Sequence, residues 1–412
     1  MHARASFLLH APLGLSISDR KHEEFNAVSE REKTRLVHAS RATMEGDVGT
    51  VNPALVRCST VLYRDMGTRR SVAVRREKGE RTFSYGANGT PTSFALEDAI
   101  NEIEGGERTV LLPTGLAAIA HVFLSCLRPG DHLLLAETVY GPARAIANNY
   151  LSNRGIACEF YAGGHQEVEK RLKPVTRMVY LDNPGSIVYD IQDVPALARL
   201  LQSRETLLAV DNTWGCPGLY HPLALGADIS VVAITKYVAG HSDLVMGSVS
   251  AGPRCADRLW RDARILGQTV SPDDAYSALK GLRTAAARIA MHQAHAAEVI
   301  AWLQQRPQVQ RVLYPALPGD PGYTLWKRDF KGANGLLSFE LGSQFSQSHA
   351  EQFVDSLRLF GIGASWGGYE SLALTYPSIH GWKGGALVRL HIGLEDPADI
   401  ITDLARGFAA LG

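Results

Sequence analysis

The sequence lacks the features of several classes of protein. Its five cysteines are scattered and form no CxxC pair, so neither a zinc site nor a disulfide framework is indicated, and we expect a reducing cytoplasm. Lys+Arg and Asp+Glu both number 42, and a chain without net charge is not expected to bind nucleic acid or an acidic membrane as its main partner. No apolar run reaches the roughly eighteen residues that cross a bilayer, so no membrane span is expected.

The length and the patterning predict a large α/β protein. A chain of 412 residues with 45% hydrophobic residues suffices for two domains and an arm, at roughly 150 residues per domain. Apolar strand patterns alternate with helical ones from about residue 109 to residue 250, which predicts a doubly wound, mostly parallel sheet. We assign residues 1–92 to an N-terminal extension and arm, 93–283 to the large domain, and 284–412 to a smaller C-terminal α/β domain.

The first thirty residues carry little signal. Residues 1–18 contain Arg4 and no acidic residue, as in a transit peptide, but their apolar part is short and contains Pro12. We therefore expect a loose segment or a misassigned start rather than a targeting sequence.

The strongest chemical signal is a lysine at the end of a predicted strand. The run 229–234 is apolar and rich in β-branched residues, which is typical of a buried parallel strand, and Lys236 follows it. Burial disfavours the ammonium ion, so this lysine would tend toward the neutral amine that forms a Schiff base with a carbonyl cofactor. The alternative is an ordinary lysine that extends from the strand end into solvent.

A carboxylate ends the preceding predicted strand. Asp211 precedes Lys236 by enough residues for a connection and a return strand, so both fit at the carboxyl edge of one sheet. Open α/β sheets bind ligands at that edge, and an aspartate there suits the protonated ring nitrogen of pyridoxal phosphate. The alternative for Asp211 is a helix N-cap.

Four other residues suit a phosphorylated ring or an amino acid. Gly115 and Leu116 open a predicted helix after a strand, and the free amides of a first helical turn attract phosphate. Tyr140 follows another strand, where its ring can stack on a cofactor, although packing on the surface is the alternative. Arg389 lies among apolar residues, which is costly unless a substrate carboxylate or an internal acid pairs with it.

Seven short sequence words resemble the Cys/Met-metabolism family of pyridoxal-phosphate enzymes, most closely its bacterial cystathionine β-lyases. The words are YG at 85–86, NPGS at 183–186, DNTW at 211–214, TKY at 235–237, GHSD at 240–243, SWGGYES at 365–371 and RLHIGLED at 389–396. The resemblance implies a fold-type I transferase-like architecture with pyridoxal 5'-phosphate bound in the large domain. It also implies a homo-oligomer, a dimer or tetramer, whose arm packs on a neighbouring subunit and whose active sites are shared.

The resemblance also implies residue roles. Lys236 would carry the cofactor and move the Cα proton, and Asp211 would hold the pyridine nitrogen. The other expected cofactor contacts are Tyr140, Gly115, Leu116, Thr235, Tyr85 and Ser186, with Tyr85 and Tyr140 also candidates for catalysis. The expected substrate contacts are Arg389, Ser365, Trp366 and Arg264.

The implied activity is carbon–sulfur bond cleavage. L-Cystathionine, or a related cysteine S-conjugate or cystine, would yield a thiol, pyruvate and ammonia, and Trp366 favours the β-lyases over the γ-acting branch. Three departures from the family pattern leave the substrate open: Ala87 replaces a usual phosphate-binding Arg, and Ala364 and Arg264 replace tyrosines of the distal pocket. The alternatives are a γ-elimination or γ-replacement enzyme, a C–S lyase of specialised sulfur metabolism, and a catalytically inactive regulatory paralogue.

One predicted helix, over 284–305, contains several basic residues. Arg288, His292 and His295 are interpreted as its solvated face. Histidines at such spacing can bind a metal, but apolar residues separate them and carboxylate ligands are lacking, so no metal site is expected.

Overall fold

The computed structural model describes residues 31–41 and 47–412, so the predictions for the first thirty residues lie outside it. The described part of the arm contains two helices, α1 (Glu32–His38) and α2 (Met66–Glu77), and a 3₁₀ turn at Gly86–Asn88. The described arm between the helices has little regular secondary structure and exposes apolar side chains, including Leu62, which is 91% exposed. The arm therefore presents apolar surface that its own chain does not cover.

A seven-stranded sheet forms the centre of the large domain. Its strands are β1 (Arg108–Leu112), β2 (His132–Ala136), β3 (Ala157–Tyr161), β4 (Thr176–Asp182), β5 (Leu207–Asp211), β6 (Ile229–Val232) and β7 (Gly247–Ala251). They lie in the order β1-β7-β6-β5-β4-β2-β3, and β7 is antiparallel to both neighbours while the five strands from β6 to β3 are parallel. The mostly parallel sheet that the alternating pattern predicts is confirmed, and its apolar strands are buried because helices cover both faces.

Helices precede, connect and follow these strands. They are α3 (Pro91–Glu104), α4 (Gly115–Cys126), α5 (Gly141–Ala145), α6 (His165–Arg171), α7 (Val194–Leu201) and α8 (Ala256–Ile265), with α5 continuing through a π-helical turn (Ile146–Leu151) and a 3₁₀ turn (Ser152–Arg154). Helix α4 begins directly after the β1 strand, and Thr114 caps it by accepting a hydrogen bond from Ala117 N at 2.8 Å. The first amides of α4 therefore face the carboxyl edge of the sheet.

One long helix connects the two sheets. The sequence predicts separate helices over 274–281 and 284–305, but α9 (Pro272–Leu303) is continuous. Ser271 caps its first turn, with hydrogen bonds from the amides of Asp273 and Asp274. The domain boundary assigned at residue 283 falls inside this helix and stays a prediction.

The expectation that basic residues of α9 face solvent is wrong. Arg288, His292 and His295 are 8%, 0% and 9% exposed. Arg288 Nη2 donates to Tyr237 O at 2.9 Å, His292 Nδ1 lies 2.8 Å from Ile392 O, and His295 contacts the next carbonyl. Buried polar groups are tolerated when they are hydrogen-bonded. The i, i+4, i+7 spacing shows that these three side chains share one face of the helix. It does not show whether that face contacts solvent or buried backbone carbonyls.

A second sheet forms the C-terminal domain, as expected. Its strands are β8 (Val309–Leu313), β9 (Leu336–Leu341), β10 (Gly361–Ile362), β11 (Leu372–Thr375) and β12 (Leu387–His391), accompanied by α10 (Tyr323–Asp329), α11 (Gln347–Asp355) and α12 (Pro397–Ala409). The order is β10-β11-β12-β9-β8, antiparallel except for β10 beside β11. Phe339, Phe353 and Phe408 pack their rings together where α11 and α12 cover this sheet. Among the helices of residues 31–41 and 47–412, none is both long and apolar enough to span a bilayer.

Candidate active site

A pocket lies where the carboxyl edge of the large sheet meets the small sheet. Asp182 and Asp211 are directly paired in register at the ends of β4 and β5, and both line the pocket. Trp366 and Arg389 line it from the C-terminal domain. The fold thus brings together residues that lie far apart in the sequence.

Lys236 lies in the turn after β6. Its Nζ donates to Ser365 Oγ at 2.8 Å and lies 5.3 Å from the centroid of the Trp366 ring. Burial, and then the positive charge of Arg389, lower the pKa of Lys236 to about 8, against an opposing effect of Asp211. Near neutral pH the neutral, nucleophilic amine is therefore far more populated than in an ordinary exposed lysine.

Asp211 presents a buried carboxylate to the same pocket. Its Oδ1 accepts from Thr213 N at 2.9 Å, and its Oδ2 accepts from the Tyr180 hydroxyl at 3.4 Å. Burial raises the pKa of Asp211, because the ionised form is poorly solvated. A cationic partner would restore the ionised form, as the protonated nitrogen of a pyridine ring would.

Tyr140 and Asp182 are joined by a hydrogen bond. Tyr140, at the start of α5, donates its backbone N–H to Asp182 Oδ2 at 2.8 Å and leaves its ring half-exposed. Burial, followed by the charges of Asp211 and Asp182, raises the pKa of the Tyr140 phenol. Asp182 is buried with its Oδ1 unpartnered by any described residue, and burial, followed by the charge of Asp211, raises its own pKa well above the usual range.

Sequence reasoning missed Asp182. The signal was present, because the dipeptide Asp-Asn ends two successive parallel strands, at 182–183 and at 211–212. The paired register of β4 and β5 then places both carboxylates side by side.

Arg389 is buried in β12 with donors to spare. Its Nη2 donates to Gly363 O at 3.0 Å and to Ser365 O at 3.1 Å, while its Nε is buried without a partner. No carboxylate in the described part of the chain forms an ion pair with Arg389, so the internal salt bridge considered as an alternative is not formed there. A buried guanidinium with free donors suits an incoming carboxylate.

The phosphate end of the predicted site is built on close backbone contacts. A Cβ on Gly115 would lie 2.7 Å from Ala233 Cβ, so the backbone here approaches more closely than a side chain would allow. Ser186 lines the pocket and donates its N–H to Thr138 O at 2.7 Å. The Thr235 hydroxyl already donates to Met246 O at 3.1 Å, so a bond from it to phosphate would replace that one.

Two predicted residues lie elsewhere. Tyr85 is half-exposed beside the Gly86–Asn88 turn of the arm. Arg264 stacks on Trp260, with its guanidinium carbon 3.9 Å from the ring centroid, and donates to Asn88 O at 3.4 Å. Arg264 and Ala87 line the same hollow, separate from the pocket at Asp211. Within one chain, therefore, the pocket at Lys236 does not contain either residue.

The pocket fits pyridoxal phosphate. The buried amine of Lys236, the buried carboxylate of Asp211 and the free amides at the start of α4 match its aldehyde, ring nitrogen and phosphate. No three His, Cys, Asp or Glu side chains within residues 31–41 and 47–412 are grouped so that they could hold a metal ion.

Comparison with known proteins decides the family. The model of the family described as Cys/Met metabolism PLP-dependent enzyme matches residues 33–409. The chain belongs to this family. Membership of this family confirms the predicted fold class and the predicted cofactor, pyridoxal phosphate.

Two curated relatives and one crystal structure show how close the similarity is. The chain is 45% identical to the cystathionine beta-lyase of Bordetella avium over 383 residues, which are 90% of this chain and 96% of that protein. It is 38% identical to the cystathionine beta-lyase MetC of Escherichia coli over 392 residues, 92% and 98% of the two chains. A crystal structure of cystathionine gamma-lyase from Lactobacillus plantarum complexed with L-serine has a TM-score of 0.83 at 28% identity and covers 93% of this chain and 99% of that one.

The family member described here is a pyridoxal-phosphate-dependent carbon–sulfur lyase of cysteine and methionine metabolism. The enzyme class and cofactor that the sequence words imply are confirmed.

Proposed function

We propose that this lyase cleaves L-cystathionine by β-elimination, consuming one water molecule and giving a thiol, pyruvate and ammonia. One observation carries the proposal. Ser365 accepts a hydrogen bond from Lys236 Nζ on its hydroxyl and one from Arg389 on its carbonyl. A substrate whose carboxylate lies on Arg389 therefore places its amino group and Cα beside the lysine. The named β-lyase relatives, and the Trp366 that resembles theirs, support the choice of β- over γ-elimination.

The mechanism follows from what these residues can do. Pyridoxal phosphate, when bound, supplies an aldehyde that takes up amines and a cationic ring that stabilises negative charge at Cα. Lys236 would hold the cofactor, and its free Nζ would take the Cα proton of the substrate; the lowered pKa of Lys236 suits both tasks. Asp211 would keep the ring nitrogen protonated, and Arg389 would orient the substrate so that the Cα proton faces Lys236.

The remaining pocket residues hold the reactants in place. Tyr140 would stack on the ring, and its position is fixed by the hydrogen bond from its backbone to Asp182. The amides of Gly115 and Leu116 would bind phosphate at the start of α4, with Thr235 as a further ligand. Ser186, which lines the pocket, would contact the phenolic oxygen of the cofactor. Trp366 forms the wall beside Lys236, with its ring centroid 5.3 Å from Nζ.

We also propose a homo-oligomer, a dimer or tetramer, with shared active sites. The exposed apolar side chains of the arm need a covering surface, and Tyr85 and Arg264 lie apart from the pocket of their own chain. In this arrangement Arg264 of the partner subunit borders the distal part of the substrate. Because Arg264 lies beside Ala87, it is also placed to supply the positive charge that the usual Arg at position 87 would have given. All five cysteines are free, in agreement with the proposed cytoplasmic location.

Product analysis tests the substrate. The purified holoenzyme is mixed with L-cystathionine or L-cystine, and pyruvate and 2-oxobutyrate are quantified by mass spectrometry. Pyruvate from cystathionine supports β-elimination, whereas 2-oxobutyrate would assign the enzyme to the γ-acting branch. Arg264→Tyr and Ala364→Tyr restore the family pattern, so a rise in cystathionine turnover in these variants would show that the chain prefers a different sulfur amino acid. Lys236→Ala is the matched inactive control.

A further inference from the structure

A second cavity, of about 760 Å³, lies between the ends of β2 and β3 and the strand β8. It shares no lining residue with the pocket at Asp211. The two cavities are separated by a single chain segment, of which Ile187 and Tyr189 line the pocket while Val188 and Asp190 line the second cavity. The volume of the second cavity lies within the roughly 300 to 1,000 Å³ that is usual for small-molecule sites.

The cavity is acidic. Glu137, Asp190 and Asp320 line it, and Arg311, the one lysine or arginine among its lining residues, is already bonded to Glu340 at 2.8 Å. Burial raises the pKa of Asp190 and of Asp320. At Asp320 the charge of Arg311 opposes this rise, and the charge of Asp190 adds a smaller contribution to it. A cation held between the two carboxylates would stabilise their ionised forms.

Two buried polar side chains in the lining lack partners. Tyr161 is 1% exposed and Gln192 is 5% exposed, yet the Tyr161 hydroxyl and Gln192 Oε1 make no hydrogen bond to any residue of the described chain. Most buried polar groups in proteins are hydrogen-bonded, so each orphan calls for an explanation. Gln192 Oε1 can only accept, which means that the missing partner is a donor.

Much of the remaining lining is apolar, although Thr138, Gln304 and Gln310 also contribute to it. Val188, Ile191, Leu313, Leu317 and Trp382 form the apolar surface. No three acidic, histidine or cysteine side chains of residues 31–41 and 47–412 are grouped to bind a metal. An occupant must therefore combine a positive N–H group with apolar substituents.

We propose that this cavity is a second small-molecule site, which binds an organic ammonium ion between Asp190 and Asp320 with an N–H directed to Gln192. The apolar substituents lie against Ile191, Leu317 and Trp382. Because Asp190 belongs to the segment that also forms one wall of the active-site pocket, the occupant contacts the back of that wall. The proposal does not depend on which sulfur amino acid is the substrate.

Calorimetric titration of the holoenzyme with N,N-dimethylbenzylammonium tests the site. This probe carries one N–H and an aromatic ring, and a tertiary amine does not form a Schiff base with the cofactor. Benzyl alcohol is the neutral control. We expect saturable binding of the cation with at least tenfold weaker binding of the alcohol, and competition between the cation and L-serine should be absent.

Variants locate the binding. Asp190→Asn and Asp320→Asn should each weaken binding of the cation at least tenfold. Glu205→Gln removes an 84% exposed carboxylate outside the lining and should leave binding of the cation unchanged. Retained cofactor absorbance shows that a variant is folded. The proposal is overturned if wild-type enzyme does not bind the cation, if it binds the alcohol equally, if L-serine displaces the cation, or if a folded Asp variant binds like wild type.

Discussion

Replacing Arg389 by lysine tests the proposed substrate orientation. Nη2 of Arg389 is used by Gly363 O and Ser365 O, which leaves Nε and Nη1 for the substrate carboxylate. A lysine that satisfies the same two carbonyls has one N–H left, so the variant keeps the charge and loses one charge-assisted hydrogen bond to substrate. Such a bond contributes about 1.5 to 3 kcal/mol, so we expect KM to rise about 10- to 150-fold with a smaller change in kcat.

The assay is steady-state pyruvate formation from cystathionine, combined with binding of an amine that lacks the carboxylate. S-Methyl-L-cysteine and 2-(methylthio)ethylamine differ only in that carboxylate. Arg389→Lys should therefore weaken binding of S-methyl-L-cysteine and change the affinity for 2-(methylthio)ethylamine by less than twofold, with binding followed by the cofactor absorbance. Arg389→Leu removes the charge as well and should raise the pKa of Lys236, since Arg389 contributes to lowering it. An unchanged KM in Arg389→Lys, or equal loss for both compounds, would refute the assignment of Arg389 as the carboxylate ligand.

Three further predictions concern the cofactor end of the pocket. In the apoenzyme, acetylation of Lys236 measured by mass spectrometry should be slow below its pKa of about 8, where the amine is charged, and level off above it; a midpoint near 10 would contradict the burial effect. Asp182→Ala removes the acceptor of the Tyr140 N–H and should lower kcat about tenfold, whereas Asp182→Asn keeps an acceptor and should lower kcat less. Both changes remove a charge that raises the pKa of the Tyr140 phenol, so that pKa should fall in both variants. Wild-type kcat in Asp182→Ala would show that the contact is dispensable. Gly115→Ala should weaken cofactor affinity through its contact with Ala233, and Ala233→Gly should restore part of it; failure of the rescue would place the defect elsewhere.

The sequence was sufficient to predict the large sheet and its reactive edge. One apolar run ends in Asp211 and another precedes Lys236, and each is typical of a buried parallel strand. Parallel strands direct their carboxyl ends to the same edge of the sheet. The pairing of Asp182 with Asp211 was not predicted, since it depends on the register between β4 and β5, which a one-dimensional pattern does not contain.

The polar face of α9 was predicted incorrectly for a related reason. Side chains such as Arg288 and His292 are commonly exposed, and only tertiary structure supplies the carbonyl groups that allow them to be buried. The family pattern identified Ala87 and Arg264 as separate departures. Their position in one hollow, beside each other, becomes visible only when the arm is folded against α8.

Helix α9 has a consequence for how the enzyme unfolds. Through Arg288 it is bonded to the carbonyl of Tyr237, next to Lys236, and through His292 to the carbonyl of Ile392, close to Arg389. If the segment at Tyr237 or the segment at Ile392 opens, buried polar side chains of α9 lose their hydrogen-bond partners, which is costly. Amide hydrogen exchange should therefore report a single cooperative unit in which the protected amides of β6, α9 and β12 exchange with one opening free energy, rather than two domains that open independently.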